Sequence, residues 1–193
     1  MNLPFNVDHP AFIIFYLITL IWIAEFAFFP SRYREQDRAE RRSFMRIMSA
    51  ILISHTLSIS TSLTGIFPYP PQDTWIMYVA LVTYFAGLLL RYISIIHLGH
   101  HFTRDVEVSS QQHLVSTGPY RILRHPLYLG LWLLTVSVPF FLNNWVMVAL
   151  SSVLMFIMLN QRMTLEEQLM EEVIGESYRR WKKSRYRFIP WIY

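Results

Sequence analysis

The sequence predicts an all-α integral membrane protein with five transmembrane helices and a polar pocket on the cytoplasmic side. Three observations predict it. Charged residues make up only 16% of 193 residues against 53% hydrophobic, too little charge to cover a soluble domain. The apolar residues come in long blocks rather than at amphipathic spacing. The Lys and Arg residues gather in segments that all fall on one side of a five-span count.

The first span is expected from about Ala11 to Phe29; it lacks a basic leader and an A-x-A-like cleavage site and is read as a retained helix. The second, from about Phe44 to Leu63, is weak, rich in Ser and Thr and holds His55, residues that commonly serve interhelical packing. The third runs from about Trp75 to Leu98. The fourth is short, from near Leu127 to near Leu142, and only Asn143-Asn144 separates it from the fifth, Trp145 to about Met163, so the two form a helical hairpin. Each approaches the roughly 20 residues that cross a hydrocarbon core. Beyond the fifth, Leu165, Leu169, Val173 and Ile174 continue a helix that Gly175 interrupts.

Charge then sets the orientation. Arg32 to Arg46 precede span two, Arg104 to Arg124 precede span four, and Arg179 to Arg187 follow span five, whereas the loop from Thr64 to Thr74 and the Asn143-Asn144 turn carry no Lys or Arg. The positive-inside rule puts the N-terminus outside and the C-terminus in the cytoplasm. The net charge of +4 therefore faces anionic headgroups rather than nucleic acid. Absence of cysteine excludes disulfides, thiolate nucleophiles and Cys-ligated metals.

The chemistry is expected in the long connection from His97 to Pro126, which is not low-complexity, and in the residues after span five. His97, His100 and His101 share a helix face, but no further ligand is suitably spaced, so hydrogen bonding is preferred to a metal site. No nucleophile elbow, dinucleotide fingerprint or P-loop is present. Gly118-Pro119 makes a turn, Pro119 starts a short helix, and Pro126 suits the first turn of span four. Tyr120, Arg121, Arg124, His125 and Tyr128 then meet one membrane edge, as a site or as an aromatic-basic belt. Arg162 and Glu166 are i, i+4 partners on one helix face. Arg91 and Arg162 lie near the cytoplasmic ends of spans three and five. Both readings stand for each: a buried functional arginine or a snorkelling one. Glu25 is read as an interfacial carboxylate or packing partner.

At Leu114-Val115, Gly118-x-Tyr120, Arg124-His125-Pro126-x-Tyr128, Arg162, Glu166-Glu167, Gly175, Tyr178 and Arg187-x-x-Pro190, the sequence resembles the isoprenylcysteine carboxyl methyltransferase family in its small prokaryotic form. The resemblance covers roughly Gly87 to Pro190. The spans make one membrane domain over residues 1–193, with a two-helix portion (1–74) and a catalytic core (75–193); the small prokaryotic form implies a prokaryotic inner membrane. The resemblance implies S-adenosylmethionine as cofactor and S-adenosylhomocysteine as product, in a pocket formed by the loop before helix four and the C-terminal region. Leu114, Val115, Tyr120, His125, Pro126, Leu127, Tyr128 and Glu166 match cofactor contacts, with Asp105 and Gln112 at weaker contact positions. Arg91 and Arg162 match acceptor-side arginines, which tips both toward function. The implied acceptor is lipophilic, most simply a carboxylate such as an isoprenylcysteine or other lipid-like acid. A phospholipid amine is the alternative and would require a proton acceptor, for which Glu167 and His101 are candidates.

Two further readings remain. Sterol-type reductases share Arg-His-Pro-x-Tyr, but usually carry Asn and Asp where Leu127 and Leu131 stand here. A non-enzymatic lipid-binding protein is the other.

Overall fold

The computed structural model describes residues 9–28, 38–66, 74–99 and 114–193. Within them the chain is helical: α1 (Pro10–Phe28), α2 (Arg38–Thr64), α3 (Thr74–Leu98), α4 (Pro126–Phe141), α5 (Trp145–Ile174) and α6 (Glu176–Lys183), with a 3-10 turn at Gly118–Arg121 before α4. Among the described residues, three helices are long and apolar enough to cross a membrane, in α2, α3 and α5; α4 and the first part of α1 are shorter apolar segments. Ile13, Leu20, Leu52, Val82, Phe85, Ile96, Leu150 and Val153 are exposed around the helices. An apolar exterior spread over several helices is the surface that lipid, not water, covers.

The boundaries of α4 and α5 have local causes. Asn143 takes φ of 55°, a left-handed conformation that asparagine tolerates. Asn144 then caps α5, its side chain accepting from Met147 N at 3.1 Å, and donates to Thr61 Oγ1 of α2 at 2.9 Å. The two-residue hairpin expected between spans four and five is therefore also a buried junction with α2. Pro126 opens α4 at a position where the missing N–H costs nothing. Gly175, at φ of 67°, ends α5 and turns the chain into α6.

The core lies between the helices, where Phe15 of α1 stacks on Phe141 of α4 at 4.6 Å and on Tyr84 of α3 at 5.1 Å. Ser54 and Ser151 share a hydrogen bond of 2.5 Å between α2 and α5, the interhelical use expected of small polar residues. Helices α3 and α4 approach closely at Gly87 and Gly130. A Cβ on Gly130 would lie 2.8 Å from the Gly87 carbonyl oxygen and 3.1 Å from Arg91 Cβ. Gly130→Ala should force the helices apart, costing about 1–3 kcal/mol and displacing Arg91. A thermal melt in detergent measures this, and an unchanged midpoint would mean that the helices separate freely.

Candidate active site

The site forms where the first turn of α4 meets the C-terminal half of α5. Arg162 is 3% exposed and lies one turn before Glu166, with Nε 3.6 Å from Oε1. Burial rules out the solvated surface pair that the i, i+4 spacing also allowed. An arginine at this depth needs a partner, and Tyr128 of α4 adds a second one: its hydroxyl accepts from Arg162 Nε at 3.3 Å and donates to Glu166. Helix phase in α5 and the Pro126 start of α4 together make this three-residue clamp.

His125 sits just before α4, with its ring 5.7 Å from the Tyr128 ring in a stacked arrangement. Its Nδ1 is 3.4 Å from Glu166 and its Nε2 3.1 Å from Glu167. Only the imidazolium can donate from both nitrogens. Burial pulls its pKa down, but the hydrogen bonds and charges of Glu166 and Glu167 outweigh burial and hold it above the ordinary 6.5. The stabilisation this raised pKa implies is fully present below about 6.5 and is lost as pH rises through the folded-state value. Thermal stability in detergent, measured across pH, should fall on that alkaline limb. The His125→Asn variant should show a flat profile there; an unchanged limb would assign it to another group.

Glu167 is held by more than His125. Arg124 Nη1 lies at 2.9 Å and Arg187 Nε at 3.3 Å from the same oxygen. Arg187 also donates to Asn160 at 3.0 Å and to Thr164 at 2.7 Å, fastening the C-terminal segment along α5. The loop before α4 is strapped from the same side. Arg124 N donates to Tyr186 O at 2.8 Å, Tyr186 N to Ile122 O at 2.9 Å, and Arg185 Nε to Tyr120 O at 2.7 Å. Trp181 of α6 donates from Nε1 to Ser116 at 3.0 Å, beside the half-buried Leu114 and Val115. Tyr120 is buried; burial lifts its phenol pKa, the Glu166 carboxylate lifts it further and the Arg91 guanidinium opposes, so the ring lies within electrostatic reach of both.

Arg91 of α3 points its Nε and Nη2 at Glu25 of α1, at 2.5 and 2.6 Å, and its Nη1 at the Leu127 carbonyl at 3.4 Å. Glu25 is fully buried and Arg91 11% exposed. From sequence Glu25 is an interfacial or packing group; the structure makes it the partner of a candidate acceptor-side arginine. The signal was present, since it is a lone carboxylate in an apolar block.

Of the sequence-predicted residues, the structure brings together His125, Pro126, Leu127, Tyr128, Arg162 and Glu166, with Arg91 joined through Leu127 and Tyr120 beside them. Leu114 and Val115 begin the strapped loop. Asp105, Gln112, His100 and His101 lie outside the described residues. His97 packs against Gly118, where any Cβ would collide with its imidazole, and its Nδ1 donates to Ile93 O at 2.8 Å. Among residues not proposed as site members, Glu25, Arg124 and Arg187 now border it.

Comparison with known proteins bears on this arrangement. Residues 79–172 match the family model described as the isoprenylcysteine carboxyl methyltransferase (ICMT) family. Protein-S-isoprenylcysteine O-methyltransferase A of Arabidopsis thaliana is 27% identical over 154 residues, covering 78% of each chain. Protein-S-isoprenylcysteine O-methyltransferase B of the same plant is 30% identical over 114 residues, 58% of each chain. The Schizosaccharomyces pombe protein-S-isoprenylcysteine O-methyltransferase is 31% identical over 108 residues, 55% of this chain and 46% of its own. In fold, the chain is similar to the eukaryotic intramembrane Ras methyltransferase ICMT, with a TM-score of 0.64 at 19% identity. That match covers 96% of this chain and 69% of the other.

Proposed function

Because this chain belongs to the isoprenylcysteine carboxyl methyltransferase family, we infer that it methylates a lipophilic carboxylate, such as an isoprenylcysteine-like or other lipid-like acid, using S-adenosylmethionine. The observation that carries this reading is the clamped, buried Arg162, which follows the apolar first half of α5 and lies between a tyrosine and a carboxylate. A guanidinium so placed binds an acid whose tail lies in lipid.

The donor set suits the cofactor. Its amino-acid end needs both an anion and a cation partner. Glu166 and Glu167 supply the first, and Arg124, whose buried Nε has no hydrogen-bond partner among the described residues, supplies the second. The stacked His125–Tyr128 pair offers ring faces for a base. Leu114, Val115, Tyr120, Pro126 and Leu127 would complete the wall, with Asp105 and Gln112 on the adjoining segment. When bound, the cofactor supplies a methyl group on a sulfonium and leaves as S-adenosylhomocysteine.

The residues' task is then alignment. A carboxylate acceptor is already ionised at pH 7, so no side chain has to remove a proton. Arg162 and Arg91 orient the acid by charge-assisted hydrogen bonds, while Tyr128 and Glu25 fix their guanidinium planes. Holding two groups in reacting geometry is itself worth several kcal/mol of barrier. Amine methylation fits less well. Glu167, a candidate base, faces Arg124, Arg187 and His125, and a carboxylate surrounded by cations gives up its charge reluctantly. The reductase reading finds no counterpart among the relatives, which are named O-methyltransferases.

We assign all five longer helices as spans of one membrane domain, α1 and α4 included, with the N-terminus outside and the C-terminus cytoplasmic from the arginine asymmetry. The bilayer is read as a prokaryotic inner membrane from the resemblance to the family's small prokaryotic form.

Glu166→Ala tests the cofactor assignment. It removes the acceptor of Tyr128, His125 and Arg162 at once and should weaken S-adenosylhomocysteine binding by about tenfold or more, as loss of a charged hydrogen-bond partner does. Calorimetry on detergent-solubilised protein measures it; no binding to the unmodified protein would end the enzyme reading.

A further inference from the structure

Away from the candidate active site, α2 and α5 leave an open groove of about 970 Å³ between them. Along α2, Arg41, Met45, Ser49 and Ile53 recur every four residues and so form one stripe of its wall. Arg42 and Arg46 flank that stripe at its basic end, and Leu154 and Met158 of α5 form the facing apolar wall. The twelve-residue rise from Arg41 to Ile53 corresponds to about 18 Å at the α-helical rise. Half of a hydrocarbon core is about 15 Å deep. The groove is therefore one leaflet deep, charged at its mouth and apolar below.

Its charge is one-sided: the described residues that line it include three arginines and no carboxylate. Arg46 is also held in place, donating to Arg42 O at 3.3 Å and to Gln161 of α5 at 3.2 Å. Gln161 precedes Arg162, so the basic mouth lies level with the candidate active site.

We propose that this groove is a binding site for an anionic phospholipid. The phosphodiester meets Arg41, Arg42 and Arg46, and an acyl chain lies against Ile53, Leu154 and Met158. Guanidinium groups pair with phosphate oxygens through short charge-assisted bonds, and a zwitterionic headgroup brings no net charge to the basic mouth at Arg41 and Arg46. This site is independent of the methyl-transfer reading and requires only that α2 and α5 stand in a bilayer.

The test is native mass spectrometry of the full chain in detergent, with phosphatidylglycerol and phosphatidylcholine competing. The unmodified protein should retain phosphatidylglycerol preferentially. Replacing Arg41, Arg42 and Arg46 by Gln should weaken that retention on the order of a hundredfold, at roughly fivefold per arginine. Ser49→Trp, which obstructs the groove and keeps every charge, should also abolish it, while Arg180→Gln with Lys183→Gln should leave it intact. Equal retention of the two lipids by the unmodified protein would overturn the proposal without any variant. So would retention that survives Ser49→Trp, which would mean diffuse surface attraction, or an equal loss in the Arg180/Lys183 variant. A Ser49→Trp protein that keeps phosphatidylglycerol but shows a raised KM for the methyl acceptor would assign the groove to the acceptor and likewise overturn it.

Discussion

Arg162→Ala should reduce turnover by about 10²–10³-fold, the loss typical of removing a preorganised group at the reacting centre, while affinity for S-adenosylhomocysteine stays within a few-fold. The split follows from the geometry. Arg162 touches Glu166 and Tyr128, but His125 and the Tyr128 hydroxyl remain on Glu166 when the guanidinium is gone. The proposed cofactor side therefore keeps its form, and the acceptor side loses its cation. Arg162→Lys should not rescue, because an ammonium lacks the planar fork that meets both Tyr128 and an acid. Single-turnover rates with saturating cofactor measure the effect. Normal specific activity in folded Arg162→Ala protein would make the clamp purely structural.

Glu25→Ala should be the most destabilising single change at the site. It strands the Arg91 guanidinium, 11% exposed, beside a carboxylate position that is wholly buried. Breaking a buried pair from one side costs about 3–5 kcal/mol. Stability alone would not separate a structural pair from a functional one, so the informative protein is the double variant Glu25→Leu/Arg91→Met. Apolar replacement of both partners is often neutral or stabilising, and this variant should recover the melting temperature in detergent while remaining inactive. Recovery of both stability and activity would remove Arg91 from the acceptor side.

These two arginines show what the sequence could and could not express. The helices were readable because apolar block length and turn chemistry are local: Pro126, Asn143-Asn144 and Gly175 each mark the boundary at which they stand. The Arg162–Glu166 pair was also local, one turn apart on one helix. Its burial was not, since that depends on Tyr128 arriving from another helix. The Glu25–Arg91 pair joins residues 66 positions apart, and no periodicity links them. Likewise, the straps from Arg185, Tyr186 and Arg187 to the loop and α5 depend on the C-terminal segment folding back over α5. Basic and aromatic composition alone is equally that of a surface-lying segment.

If the proposed function holds, this membrane site makes a methyl ester. The most direct measurement incubates the purified protein in lipid with methyl-tritiated S-adenosylmethionine and a farnesylated cysteine derivative bearing a free carboxylate, then treats the extracted product with base. Ester methyl groups leave as volatile methanol, whereas methyl groups on nitrogen stay. Label should appear in the lipid extract, leave as methanol on base treatment, and fall to background in Arg162→Ala. If a lipid extract in place of the derivative yields the only labelled product, and that label resists base, the acceptor is an amine and the carboxylate reading is wrong. No transfer to either, from protein that binds S-adenosylhomocysteine, would contradict the activity itself.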